Sequence, residues 1–290
     1  MDHEEAINKC PKYGDIIMLK DWLEKQPHLP KNVDNELLKA FVCGTKTLED
    51  AKKKLDTFFT VRGRFPKLFQ NVHMDLLDAN FREASMCRMF YLPQKTPEGY
   101  SLLFMKCLPG DMDKFSHILQ IRRVVMLMEL GMYFWPEITG LSLIVDMKDF
   151  SKSYLNKLNP SALASYFTYF QEAYPIKLKK MTLFNTNSFA NMLVNFIKPF
   201  MKPKIFQRIQ LSDKDFTILA QYYDTETLPS DYGGREESSN VLDDKWYQRL
   251  VDHSDWFKKT SMLISDETKR PPDEQDTYGI QGTFRTLAID

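Results

Sequence analysis

With 39 basic and 39 acidic side chains in 290 residues, the chain is formally neutral, which argues against bulk binding of nucleic acid. Its four cysteines, Cys10, Cys43, Cys87 and Cys107, form no CxxC pair and no His/Cys cluster. Neither a zinc site nor a disulfide scaffold is expected, and the thiols suit a reducing, cytoplasmic compartment.

In chain order, residues 1–80 read as a helical unit. Two short amphipathic stretches, 15–25 and 34–42, are separated by the breaker Gln26-Pro27-His28-Leu29-Pro30. Thr47 is placed to cap a longer helix in which Leu48, Ala51, Leu55, Phe58 and Phe59 share a face while Lys52, Lys53 and Lys54 point to water; Pro66 closes it. The pattern changes near residue 86. Runs 86–92 and 100–108 are strand-like and joined by a turn-rich link, and 115–134 is a long, nearly all-apolar helix that must be buried. Residues 124–135 are the longest apolar run; the run carries Glu129 and is too short to span a bilayer, so membrane contact is expected to be peripheral. Residues 1–12 are polar and acidic and do not read as a secretory leader. Gly140 to Asp146 reads as a central strand, Asn159 caps a helix with Pro160 at its first position, 179–184 is a further strand, and Ser188 caps another helix. This alternation predicts an α/β fold over 81–235: a mostly parallel sheet with flanking helices. Beyond it, 236–290 is expected to hold a helix over 243–259 and a charged, Pro-containing tail, loose or draped over the surface.

Residues 174–208 differ from the rest. Phe189, Met192, Leu193, Phe196, Ile197 and Phe200 form a wide apolar stripe at helical spacing, ended by Pro199 and Pro203. Around it lie Lys177, Lys179, Lys180, Lys198, Lys202, Lys204 and Arg208, with no acid between the first and the last. Downstream, 213–290 holds 17 acidic residues against 9 basic ones. A converged basic cluster would suit an anionic membrane; a tail folded back over it would cancel it. A stripe of this kind serves a core as readily as a lid. Its position between proline stops and cations is what a hinged amphipathic helix over an apolar cavity would require. The 21 Phe and 15 Met suit adaptable apolar walls, as they suit an ordinary core.

Tyr174-Pro175-Ile176-Lys177, then Asn185, Ile197-Lys198-Pro199-Phe200, Lys204 and Arg208-Ile209, followed by Leu228-Pro229-Ser230-Asp231-Tyr232-Gly233-Gly234, resemble the signature of the CRAL-TRIO lipid-binding family, nearest its tocopherol and retinaldehyde carriers. Residues 141–146 are similar to that family's central strand, and the helical region to its N-terminal domain, so the likeness runs over about 15–235. The chain departs from the pattern at Asn187, where the family has Pro, at Asp149, where it often has Gly, and at Gly44-Thr45-Lys46, where a basic-rich turn is reduced. The resemblance implies an apolar pocket lined by Leu141, Val145, Leu158, Tyr169, Phe170, Tyr174, Met181, Ala190, Leu193 and Ile197, with Phe189 and Phe196 on the gating helix. It also implies a phosphoinositide cleft at Lys177, Lys179, Lys204 and Arg208. The expected partners are one hydrophobic small molecule and an anionic membrane surface, with no nucleic acid and no cofactor.

No GxSxG elbow, Walker A loop, GxGxxG or HExxH occurs, and His3, His28, His73, His117 and His253 are dispersed. Asp146 is expected to be structural. Glu129 is expected to be buried, with Arg122 or Arg123 as its partner. The function expected is therefore non-enzymatic carriage of a tocopherol-, retinoid- or terpenoid-like lipid; the alternative is a phosphoinositide-sensing adaptor on the same fold.

Overall fold

A computed structural model describes residues 12–271. Helices α1 (Tyr13–Glu24), α2 (Asn35–Gly44) and α3 (Leu48–Arg64) come first. Thr47 caps α3 by accepting from the Asp50 amide at 3.1 Å. Phe65 ends it, and Pro66 starts a separate short turn, Pro66–Phe69. The hairpin β1 (Cys87–Lys95) and β2 (Ser101–Cys107) follows, then α4 (His117–Phe134), β3 (Gly140–Asp146), α5 (Pro160–Thr168), β4 (Lys177–Phe184), α6 (Ser188–Ile197), β5 (Ile209–Leu211), α7 (Ser239–Asp252) and α8 (Ser254–Thr260). His253 breaks the single helix expected over 243–259 into α7 and α8.

The strands form one sheet in the order β1-β2-β3-β4-β5, antiparallel between β1 and β2 and parallel thereafter. β5 is only three residues long, too short for a period-two pattern to announce it. Because side chains alternate along a strand, the sheet has two distinct faces. Met105, Leu143, Val145, Met181 and Leu183 point one way, towards α4, α5 and α6. Phe104, Thr182 and Phe184 point the other way, under the segment 216–234: Tyr232 lies 4.8 Å from the Phe104 ring and 5.8 Å from Phe184, and Tyr223 Oη is 3.0 Å from Thr182 Oγ1.

The helical region is fastened to the sheet region by both packing and charge. Gly44 approaches Pro175 so closely that a Cβ would stand 2.8 Å from the Pro175 carbonyl oxygen. Lys54, expected in water, instead donates to the carbonyls of Gln171, Glu172 and Tyr174 at 3.4, 3.3 and 2.8 Å, filling acceptors that the end of α5 leaves open. Glu129 is buried as expected, but its ion-pair partner is Arg62 of α3, with Tyr169 Oη donating at 3.2 Å. Arg122 and Arg123 turn elsewhere, to Asp75 and Asp243. Sequence spacing could not show this, since Arg62 is brought in by tertiary packing.

The C-terminal helices are part of the same body. Trp246 Nε1 donates to the Tyr91 carbonyl at 2.9 Å, and Asp243 accepts from the Met89 amide at 2.8 Å. Residues 266–271 are anchored: Arg270 reaches both oxygens of Asp56 at 2.8 and 2.9 Å. The rest of the expected tail, 272–290, lies outside the described residues, as do residues 1–11.

Candidate ligand-binding site

Between the sheet and its helices is a cavity of about 170 Å³. Its floor is Met105, Cys107, Leu143, Val145, Met181 and Leu183; Ile121 and Val124 of α4 and Leu163, Tyr166 and Phe167 of α5 form the sides, and Leu193 and Ile197 of α6 close it. A space this size, walled by aliphatic and aromatic carbon, offers almost nothing for water to bond to and so favours an apolar guest.

α6 is built as a cover. Asn187, rather than Ser188, is its cap: Oδ1 accepts from the Phe189 and Ala190 amides, both at 3.0 Å, while Nδ2 donates to the Phe150 carbonyl at 2.9 Å. The residue that departs from the family's proline thus satisfies the helix start and ties it to the neighbouring loop. Ala190, Val194 and Ile197 face inward, yet Met192 is 56% and Phe196 37% exposed. Past Ile197 the chain tightens into a 3-10 turn at Lys198–Phe200, where Phe196 and Phe200 meet edge to face at 6.0 Å. A latch holds that end: Gln171 Nε2 donates to the Phe200 carbonyl at 2.9 Å, its Oε1 accepts from the Lys202 amide at 2.6 Å, and Glu172 pairs with Lys202 at 2.6 Å. Gln171 and Glu172 sit on a single π-helical turn, Tyr169–Ala173, that extends α5.

Of the residues expected in the pocket, Val145, Leu158, Met181, Leu193 and Ile197 line the cavity. Leu141, Tyr169, Phe170, Tyr174 and Ala190 are not among its lining residues. Tyr169 and Tyr174 are fully buried and spend their hydroxyls on Glu129 and the Met128 carbonyl. Phe170 stacks on Tyr166 and Tyr174, Leu141 sits beside a register shift at the start of β3, and Phe189 and Ala190 pack into the smaller core around Met147 and Phe150. His117 and Gln120 also line the cavity and are not among the residues expected from the sequence. The signal was present: His117, Gln120, Ile121 and Val124 follow helical spacing, with the polar pair at one end of an apolar face.

Asp146 is buried at the opposite face of the sheet, at the end of β3. It accepts from Asn185 Nδ2 at 2.8 Å, Tyr232 Oη at 2.7 Å and the Lys148 amide at 3.0 Å. Asn185 adopts the left-handed conformation (φ 52°), as does Gly233 (φ 77°). A Cβ on Gly234 would fall 1.9 Å from the Leu228 carbonyl oxygen, so only glycine closes that turn. These signature residues hold the back of the sheet together.

Part of the basic set converges. The Lys177 ammonium is pushed below the usual lysine range, first by burial and then by the neighbouring charges of Lys46 and Lys179, with Arg208 adding to them. Lys179 stands 4.6 Å over the Tyr100 ring, and Arg208 donates to the Leu178 carbonyl. Lys204 is exposed on the turn Pro203–Phe206. Among the described residues, none of Lys177, Lys179, Lys204 and Arg208 has an acidic side chain within ion-pair distance, and several downstream acids pair elsewhere, Asp243 with Arg123 and Arg82, Glu226 with Arg235, Glu237 with Lys245.

A mostly parallel sheet roofed by helices over an apolar cavity defines the class: an α/β protein with a pocket whose lining suits a hydrophobic guest. The family described as CRAL/TRIO domain matches residues 85–234, and a Pinta-like, UBA domain matches residues 11–78. The chain belongs to the CRAL/TRIO family of lipid-binding and transfer proteins. It is 25% identical to alpha-tocopherol transfer protein-like of Mus musculus, over 79% of this chain and 68% of that one. It is also 25% identical to clavesin-1 of Xenopus laevis, over 98% of this chain and 94% of that one. Among solved structures it is similar to Sfh5, with 14% identity and a TM-score of 0.45 over 87% of this chain and 95% of that one. No helix among the described residues is long and apolar enough to cross a membrane.

Proposed function

We propose that this protein carries one hydrophobic small molecule, of tocopherol, retinoid or other terpenoid character, between membranes without covalent chemistry. The observation that carries the reading is the apolar cavity closed by a helix whose other face presents Met192 and Phe196 to solvent. Burying several hundred Å² of such a guest contributes on the order of 10 kcal/mol before binding costs, at about 25 cal/mol per Å². A guest held that firmly does not leave into water at a useful rate, so release needs a bilayer that receives it directly. Met192 and Phe196 of α6, with Phe200 in the turn beyond it, give the lid an apolar outer edge to enter that bilayer as it swings. Lys177, Lys179 and Arg208, joined by Lys46, supply the positive side that docks on anionic or phosphoinositide headgroups, with Lys204 nearby in the sequence. Val145, Leu158, Met181, Leu193 and Ile197 are the proposed ligand contacts. The other expected pocket residues set the shape of the wall from behind.

The test is organic extraction of the purified full chain followed by mass spectrometry. A carrier yields one apolar lipid at close to one per chain, or takes one up stoichiometrically from vesicles. A chain that neither holds nor takes up any lipid, yet binds phosphoinositide vesicles, would be an adaptor instead.

A further inference from the structure

Most of the cavity wall is apolar, and two polar side chains stand where α4 begins. His117 is buried, at 6% exposure, and lines the cavity. The backbone amide of Asn159 donates to its Nδ1 at 2.9 Å. An amide N–H can only donate, so Nδ1 is the bare nitrogen and the neutral ring carries its proton on Nε2. That Nε2–H has no hydrogen-bond partner among the described residues. One turn along, Gln120 lines the same cavity. Its Nε2 is tethered to the Ser85 carbonyl at 3.2 Å, which fixes the amide and leaves Oε1 as an acceptor. The cavity lining therefore includes one side chain with a donor to spare and one with an acceptor to spare, a turn apart on α4; its other side chains are hydrocarbon, thioether or thiol, apart from the Tyr166 hydroxyl, which lies 3.7 Å from the Met128 sulfur.

Each kind of guest meets this end differently. A bare hydrocarbon covers the Nε2–H and leaves it unpaired, which costs the desolvation of a buried donor. A carboxylate needs a cation, and neither Lys nor Arg lines the cavity. The imidazole cannot supply the charge without giving up the Asn159 bond, and burial alone already lowers its pKa to about 4. A hydroxyl fits both groups, accepting from His117 Nε2 and donating to Gln120 Oε1; a carbonyl oxygen satisfies the first.

We propose that His117 and Gln120 form the polar end of the ligand site and select a neutral apolar molecule that terminates in a hydroxyl or carbonyl oxygen. This deepens the carrier reading and rests on it. Neither residue is part of the lid or of the basic cluster, so their contribution separates from gating and docking.

The experiment compares three probes of one skeleton, farnesol, farnesene and farnesoate, by calorimetry on the full chain at neutral pH. Farnesol is expected to bind about tenfold tighter than either of the others, the worth of one buried hydrogen bond. His117→Leu should bring farnesol down to the level of farnesene while leaving farnesene unchanged. Gln120→Met, which keeps the length of the side chain, should lower the farnesol preference about threefold, and it covers the case in which His117→Leu fails to fold. Loss of the preference in either folded variant supports the assignment. Equal affinity for all three probes, tighter binding of farnesoate, or an intact preference in both variants overturns it while leaving the carrier reading in place. Failure of all three to bind removes the carrier reading and this assignment with it.

Discussion

The two faces of the sheet are built on opposite principles. Behind it, Asp146 gathers Asn185, Tyr232 and the Lys148 amide onto one buried carboxylate, and Gly233 and Gly234 let the closing turn lie flat against the strands. In front, Met, Leu, Val and Phe surround space, and the helix that covers it shows apolar side chains to water. The back is directional and filled; the front is non-directional and yielding. The proposed carrier role needs both, because a covering helix can move only against a frame that does not.

The comparison breaks most directly at Asp146. Asp146→Ala leaves the Asn185 amide and the Tyr232 hydroxyl without their acceptor in a buried setting, and should cost about 4 kcal/mol in urea unfolding. A loss below about 1 kcal/mol would mean that the back network is not what holds the frame. The front face has its own stability signature. The His117 pKa is lowered to about 4 by burial, so the folded ring stays neutral while the unfolded one, with its ordinary value of 6.5, takes up a proton. Stability from this group is complete above pH 6.5 and is lost as pH falls from there to about 4, a window the unfolded and folded values define. The loss should be on the order of 3 kcal/mol, read from unfolding midpoints against pH as the part of the slope that His117→Leu removes.

Smaller effects test the surface in front of the cavity. Lys177→Glu with Arg208→Glu should weaken binding to anionic vesicles by about 2 kcal/mol at low salt, and by less as salt rises. Unchanged sedimentation with such vesicles would mean that the converged cations do not form the docking face. Phe196→Asp with Phe200→Asp should slow vesicle-to-vesicle transfer about tenfold, with the unfolding midpoint nearly unmoved because both side chains are at least partly exposed. Transfer at the original rate would take the lid role away from α6.

What the sequence made legible follows from which signals are local. Helical periodicity, the Thr47 and Asn159 caps and the strand Gly140–Asp146 needed only neighbours in the chain, and the elements formed there. β5 is not legible because three residues carry no period, and Ser188 reads as the cap because Asn187 and Ser188 are both good caps one residue apart. The sequence offers Glu129 a partner only on its own helix, whereas Arg62 reaches it from a segment 67 residues away. The site divided in the same manner. Met181, Leu193 and Ile197 alternate or repeat with their elements and reach the cavity, while Tyr169 and Tyr174 are turned aside by hydroxyls that find Glu129 and Met128. His117 reads in sequence as one dispersed histidine among five, because a lone histidine shows its chemistry only when its partner, the Asn159 amide, is in view.

The smallest expected effect lies at the latch between front and frame. Gln171 bonds to the Phe200 carbonyl with its amide nitrogen and to the Lys202 amide with its oxygen, so one side chain spans the end of α6 and the turn beyond it. Both bonds are partly open to water, which limits their worth to about 1 kcal/mol together. Gln171→Ala should therefore leave global unfolding almost unchanged while raising the population of the open lid several-fold. Hydrogen exchange of the α6 amides reads that population directly, since local opening and global unfolding separate in such data. Faster exchange confined to 188–200, together with faster transfer, places the hinge at the end of α6. Faster exchange spread through β3 and β4 would instead show that the frame and the lid open as one unit, and the division between a rigid back and a yielding front would fail.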